Sequence, residues 1–209
     1  GGPAGNARLT AWTGLLLLVL FLVELATLLN LNGLLSWHVV VGVLLVPPAL
    51  LKTGSTGWRI LRYYTHRAPY RRAGPPPTPL RLLGPLVVLF TLAVLGSGLA
   101  LIALGPDAGR AVFGSVLGYR VSALTVHQGT FILWAVVTGL HTLGRIWPAA
   151  RIVADGPVPG RLPRAAILTL TLVVAAVAAV ILLGLSGSWL SSDLHPLHHH
   201  DSGGERSIR

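Results

Sequence analysis

Five long apolar blocks, separated by polar, proline- and glycine-rich connections, set the pattern of the chain. They run from about Ala11 to Leu31, Leu34 to Lys52, Leu82 to Leu104, Arg120 to Ile146 and Ala165 to Leu185. Each is near the roughly 20 residues that carry a helix across a bilayer. The first block is too long, and lacks the small-residue cleavage pattern, for the apolar core of a signal peptide, so it reads as a retained helix. Asn30, Asn32 and Gly33 predict a tight turn into the second, where Pro47-Pro48 should kink or locally unwind the helix. The prediction is an all-α, polytopic membrane bundle of about five transmembrane helices. Residues 1–10 form an N-terminal segment, 11–186 the bundle, and 187–209 a disordered, histidine-containing tail.

The connections add orientation. "TGSTGWRILRYYTHRAPYRRAGPPPTPLR", after the second span, and the segment with Arg145, Arg151, Arg161 and Arg164, after the fourth, hold most of the positive charge. By the positive-inside rule both face the cytoplasm, which puts the N-terminus inside and the tail outside a cell membrane. In the first connection Trp58, Tyr63 and Tyr64 suit an interfacial helix, and Pro75–Pro77 and Pro79 an extended linker. Arg59 to Arg72 is a candidate surface for a redox partner protein or anionic lipid.

Composition then narrows the chemistry. Of 209 residues, 53% are hydrophobic and 11% charged, and mean hydropathy is +0.71. No room remains for a soluble catalytic domain, and the partner is the lipid bilayer. The net charge of +10 sits in interhelical loops, not on a soluble basic face, which argues against nucleic acid. Without Cys or Met, thiolate and thioether ligation are excluded.

Three histidines fall inside spans: His38, His127 and His141. His127 and His141 are fourteen positions apart, which on a helix returns to within roughly 40° of one face about 21 Å further on. His38 lies on a helix running in the same direction as that of His127, and at similar depth. Paired imidazoles on separate helices are the arrangement that grips haem iron from both sides, with the apolar porphyrin between the helices. Gly42, one turn from His38, Gly96 and Gly98 on the third span, and Gly129 and Gly139 on the fourth make room for a flat ring. Arg120, two turns before His127, and Arg145, one turn after His141, are candidate partners for propionates. Zinc lacks further ligands in that plane. Packing histidines in a non-redox scaffold or accessory subunit are the competing reading, and a transporter finds little support without inverted repeats.

The H-x13-H motif of one span, with His38 on a parallel one, resembles the transmembrane b-type cytochromes, including bacterial di-haem cytochrome b and ferric-reductase-like membrane domains. The resemblance covers the second to fourth spans and implies noncovalent haem b and electron transfer between quinol or a partner protein and an acceptor. One haem would sit between His38 and His127. A second, at His141, departs from the pattern, because the position fourteen after His38 is Lys52. That lysine either snorkels to the interface or ligates as a neutral amine, and His66 or no residue at all are the other candidates opposite His141. Glu24 is the one carboxylate within a span, a candidate for proton uptake, for hydrogen-bonding a haem ligand or quinol, or for a protonated pair with a neighbouring hydroxyl or amide. The tail's "HPLHHHD", with Asp193 or Asp201, offers only an unspecific site for copper, zinc or nickel.

Overall fold

The computed structural model describes residues 2–72, 78–156 and 158–192. The proline run 75–77 and the histidine-rich stretch 195–201 lie outside the described residues. The long helices are α1 (Gly2–Thr27), α2 (Leu31–Tyr64), α4 (Thr78–Arg110), α5 (Ala123–Ala154) and α6 (Arg161–Leu185). Two short α-helices, α3 (Ala68–Arg72) and α7 (Gly187–Ser192), a 3-10 turn (Leu28–Asn30), and a hairpin of β1 (Gly114–Val116) and β2 (Tyr119–Val121) complete the described chain.

Four stretches are long and apolar enough to cross a membrane, and the first, Gly2–Tyr64, spans 63 residues. As one straight helix it would be about 95 Å long, far beyond a hydrocarbon core of about 30 Å. It is not straight. Asn30 (φ −146°, ψ 70°) and Leu34 (φ −119°, ψ 15°) leave helical geometry, and the Asn30 side chain caps the new start by accepting from the Gly33 N–H. α2 then returns antiparallel along α1, with the Thr10 and Ser55 hydroxyls 2.9 Å apart near one end of the pair. The stretch thus supplies two passes, which makes five among the described residues.

α1, α2, α4 and α5 form a ring in which α1 packs on α2 and α5, and α4 on α5 and α2. α6 lies outside this ring against α2, where Ala175 and Ala179 are buried. Small residues let its backbone come close, in keeping with a span that carries no ionisable side chain. Val19, Leu133, Leu140 and Val180 point outward, a surface that water would penalise and lipid tails do not. Trp12, Trp58 and Trp147 are exposed toward one end of the bundle and Trp37 toward the other, as in interfacial aromatic belts.

Several boundaries differ from those read from the sequence. Helix begins at Gly2, so residues 2–10 continue α1, and α2 continues beyond Lys52 to Tyr64. Pro47-Pro48 does not unwind it, since Leu34 is its only interior residue outside helical geometry. Proline's φ suits a helix, and a packed bundle tolerates the lost N–H donors. The fourth pass starts later than predicted. Leu117 (φ 51°) and Gly118 (φ 82°) make the positive-φ turn of the hairpin, and α5 begins at Ser122 with a capping box to Thr125.

The segment assigned to the tail begins with ordered structure. In α7, Trp189 is buried and its Nε1–H donates to the Leu101 carbonyl at 2.7 Å, with the Arg110 guanidinium 4.9 Å from its ring. Gly109 leaves room for it, because a Cβ there would come within 2.8 Å of the indole. Trp189→Ala is expected to cost about 3–5 kcal/mol, read as a lowered Tm of the detergent-solubilised protein. Trp189→Phe, which loses chiefly the hydrogen bond, should cost about 1 kcal/mol.

Candidate functional site

The four-helix ring encloses a largely apolar cavity of about 1220 Å³ whose lining includes Glu24, His38, Lys52, His127, His141 and Arg145. α6 contributes nothing to it. Its length follows from helix geometry: fourteen residues separate His38 from Lys52 and His127 from His141, about 21 Å along each axis. It has a His38 end and a Lys52 end.

At the His38 end, the imidazoles of His38 (α2) and His127 (α5) face each other with ring centres 6.4 Å apart and planes at 77°. Both are held from behind by the preceding helix. The Thr27 hydroxyl on α1 lies 3.2 Å from His38 Nδ1, and the Ser97 hydroxyl on α4 lies 3.0 Å from His127 Nδ1. Each hydroxyl also donates to the carbonyl three residues back, Thr27 to Glu24 at 2.6 Å and Ser97 to Val94 at 3.1 Å. A hydroxyl has one proton to give. Spent on the carbonyl, it leaves the oxygen as acceptor toward the imidazole, so Nδ1 carries the hydrogen and Nε2 keeps a free lone pair on both rings. The tautomer suited to metal ligation through Nε2 is thereby set twice by the same device.

Glu24 breaks the symmetry. Its Oε1 lies 2.9 Å from His38 Nδ1, sharing that N–H with Thr27, while Oε2 is buried without a hydrogen-bond partner. On the α4 side the corresponding position, three residues before the serine, is Val94. Gly42 faces this carboxylate, where a Cβ would meet Oε1 at 3.4 Å, an ordinary van der Waals contact. The glycine that backs a ring is Gly98, whose added Cβ would come within 3.2 Å of His127 Cε1. Gly96, Gly129 and Gly139 have nothing within 4 Å of such a Cβ and cradle no side chain.

α2 and α5 form a parallel internal repeat with a constant offset. His38 matches His127, and Lys52 matches His141. Trp58 with Arg62 stacked 4.1 Å over its ring matches Trp147 with Arg151 at 5.0 Å. α1 and α4 both contact α5 at Trp134, Phe21 by an edge-on ring contact at 4.5 Å and Thr91 by accepting a 2.8 Å hydrogen bond from its Nε1–H.

The Lys52 end is cationic. Lys52, Arg59, Arg81 and Arg145 line it with Tyr63 and Tyr70. Lys52 does not snorkel outward: its Nζ lies over Gly14 of α1, where a Cβ would be only 2.6 Å away. The charges of Arg59 and Arg145 act on it. His141 Nδ1 and Thr138 Oγ1, one turn apart on α5, are buried without hydrogen-bond partners.

Two sequence expectations fail here. Arg120 stands on β2, opposite Ser115, exposed and away from the cavity, because α5 starts after it, so it does not share a helical face with His127. His66 is exposed in the connection after α2, where Arg71 Nη1 donates to its Nδ1 at 3.4 Å, and it does not return toward His141. Arg145, by contrast, lines the cavity. Among the described residues no group of three metal-ligating His, Cys, Asp or Glu side chains exists. Thr27, Arg81 and Trp189 were not singled out by sequence, Ser97 was read only as a small residue beside Gly96 and Gly98, and Arg59 only as the start of a surface for a partner protein or anionic lipid. Comparison with known proteins finds no matching family model, no similar curated protein and no similar solved structure.

Proposed function

We propose that this chain is a membrane-embedded b-type cytochrome, carrying electrons between quinol or a partner protein and an acceptor through haem b held by His38 and His127. The observation that carries the reading is the imidazole pair. Two metal–nitrogen bonds of about 2.0–2.1 Å, each extended by roughly 1.2 Å from nitrogen to ring centre, add up to about 6.4–6.6 Å, against 6.4 Å between the centres of the two rings. The Nδ1 partners support the same reading, since each ring is left with Nε2 as its ligating nitrogen. The largely apolar cavity that both rings line suits a porphyrin.

Bound haem iron supplies one-electron chemistry. The chain's own contribution is to fix two ligands in one tautomer, exclude water and place the Glu24 carboxylate behind one ligand. With the Lys52 end toward the cytoplasm, as the loop charges favour, the pair lies nearer the outer face, where electron exchange would occur. Among the described residues no cation lines the His38 end of the cavity, so propionates there would rely on polar contacts other than the predicted Arg120.

The test is optical. Protein purified from haem-sufficient cells should carry about one haem per chain, with a Soret band that sharpens and shifts on dithionite reduction. A colourless preparation that does not take up added hemin would overturn the proposal in favour of a non-redox scaffold.

A further inference from the structure

We infer that the Lys52 end of the cavity is a binding site for an anionic phospholipid, its phosphate held by Lys52, Arg59 and Arg145 and its acyl chain running into the apolar cavity. The inference is independent of the haem reading, because these cations lie about 21–32 Å along their helices from the histidine pair, beyond reach of any propionate on a ring held there.

Charge balance carries it. Lys52, Arg59 and Arg145 are all half-buried and line one space. Among the described residues none of the three has a carboxylate partner, and Glu24, which pairs with His38, is at the opposite end. The nearest acid along α5 is Asp155, exposed and ten residues beyond Arg145, about 15 Å along the axis. Like charges gathered in a low-dielectric cleft repel one another, and such clusters persist when an anion neutralises them. The lysine is committed to this space, since Gly14 admits its ammonium between α1 and α2 where any side chain would crowd it.

The shape and chemistry select the anion. Guanidinium groups pair with phosphate oxygens through parallel hydrogen bonds, lysine adds a point charge, and Tyr63 and Tyr70 supply further donors. Above the cations the lining turns apolar, with Leu45, Val46 and Val88. A charged group at a mouth backed by an apolar slot fits a molecule with a phosphate head and a hydrocarbon tail, and basic pockets between transmembrane helices bind such headgroups. The partnerless Thr138 and His141 lie deeper than Arg145 on the same helix.

The test is native mass spectrometry of the whole chain released from nanodiscs of phosphatidylcholine doped with phosphatidylglycerol. One phosphatidylglycerol should stay bound at least tenfold more persistently than phosphatidylcholine. Lys52→Gln with Arg145→Gln should abolish that preference, Lys52→Arg should restore part of it, and Arg151→Gln, stacked on Trp147, should leave it unchanged. Equal retention of the two lipids by the unmodified chain overturns the inference, whether or not the variants fold. So does displacement of the lipid by millimolar inorganic phosphate, which would point to a free-anion site, or a second haem per chain that disappears with the Lys52 substitution.

Discussion

Replacing either His38 or His127 by alanine is expected to reduce bound haem to less than a tenth of the unmodified level, while the helical circular dichroism and the gel-filtration profile stay unchanged. Each ring supplies one of the two candidate ligands, and no other described imidazole or amine lies at that depth: His141 and Lys52 are a further fourteen residues along their helices, about 21 Å away. A packing histidine makes a different prediction. Its loss would lower Tm without any optical consequence, and added imidazole would do nothing. In the proposed arrangement His127→Ala leaves an imidazole-sized gap beside Gly98, so millimolar imidazole should restore part of the Soret band. Haem retained at full stoichiometry in both alanine variants would exclude the pair as ligands.

The parts of this site legible in the sequence are those set by counting along one helix or between parallel helices. The spacing of His127 and His141, and the similar depth of His38 and His127, depend only on rise per residue and on where an apolar block begins. The identities of Thr27 and Ser97 as partners were not legible, because antiparallel register is fixed by the connection. Here that means the break at Asn30 and Leu34 in one half and the β-hairpin before Ser122 in the other. Arg120 failed for the same reason: a few residues of strand and a capping box moved it off the helix on which its spacing had meaning. Lys52 could be counted to the level of His141, but whether it turned outward or inward depended on a glycine across the interface.

The asymmetry between the two halves of the repeat leads to the second large effect. Both histidines receive a hydroxyl, yet only His38 also receives a carboxylate, with Val94 standing at the equivalent place behind His127. A negative charge behind an axial imidazole strengthens its donation and favours the more positive, oxidised iron. At an effective dielectric near 20 and about 8 Å, one charge is worth about 2 kcal/mol, equivalent to roughly 90 mV for one electron at 59 mV per tenfold change. Glu24→Gln keeps the size and an acceptor oxygen for His38 Nδ1 but removes the charge. Its haem content should therefore match that of the unmodified protein, while the midpoint potential in an optical redox titration rises by roughly 60–100 mV. Thr27→Val, which removes the hydroxyl and leaves the carboxylate in place, should move the potential much less. A Glu24→Gln protein with an unshifted potential would mean that the carboxylate is neutral beside His38 and serves packing alone, while the histidine pair would still be judged by its own substitutions.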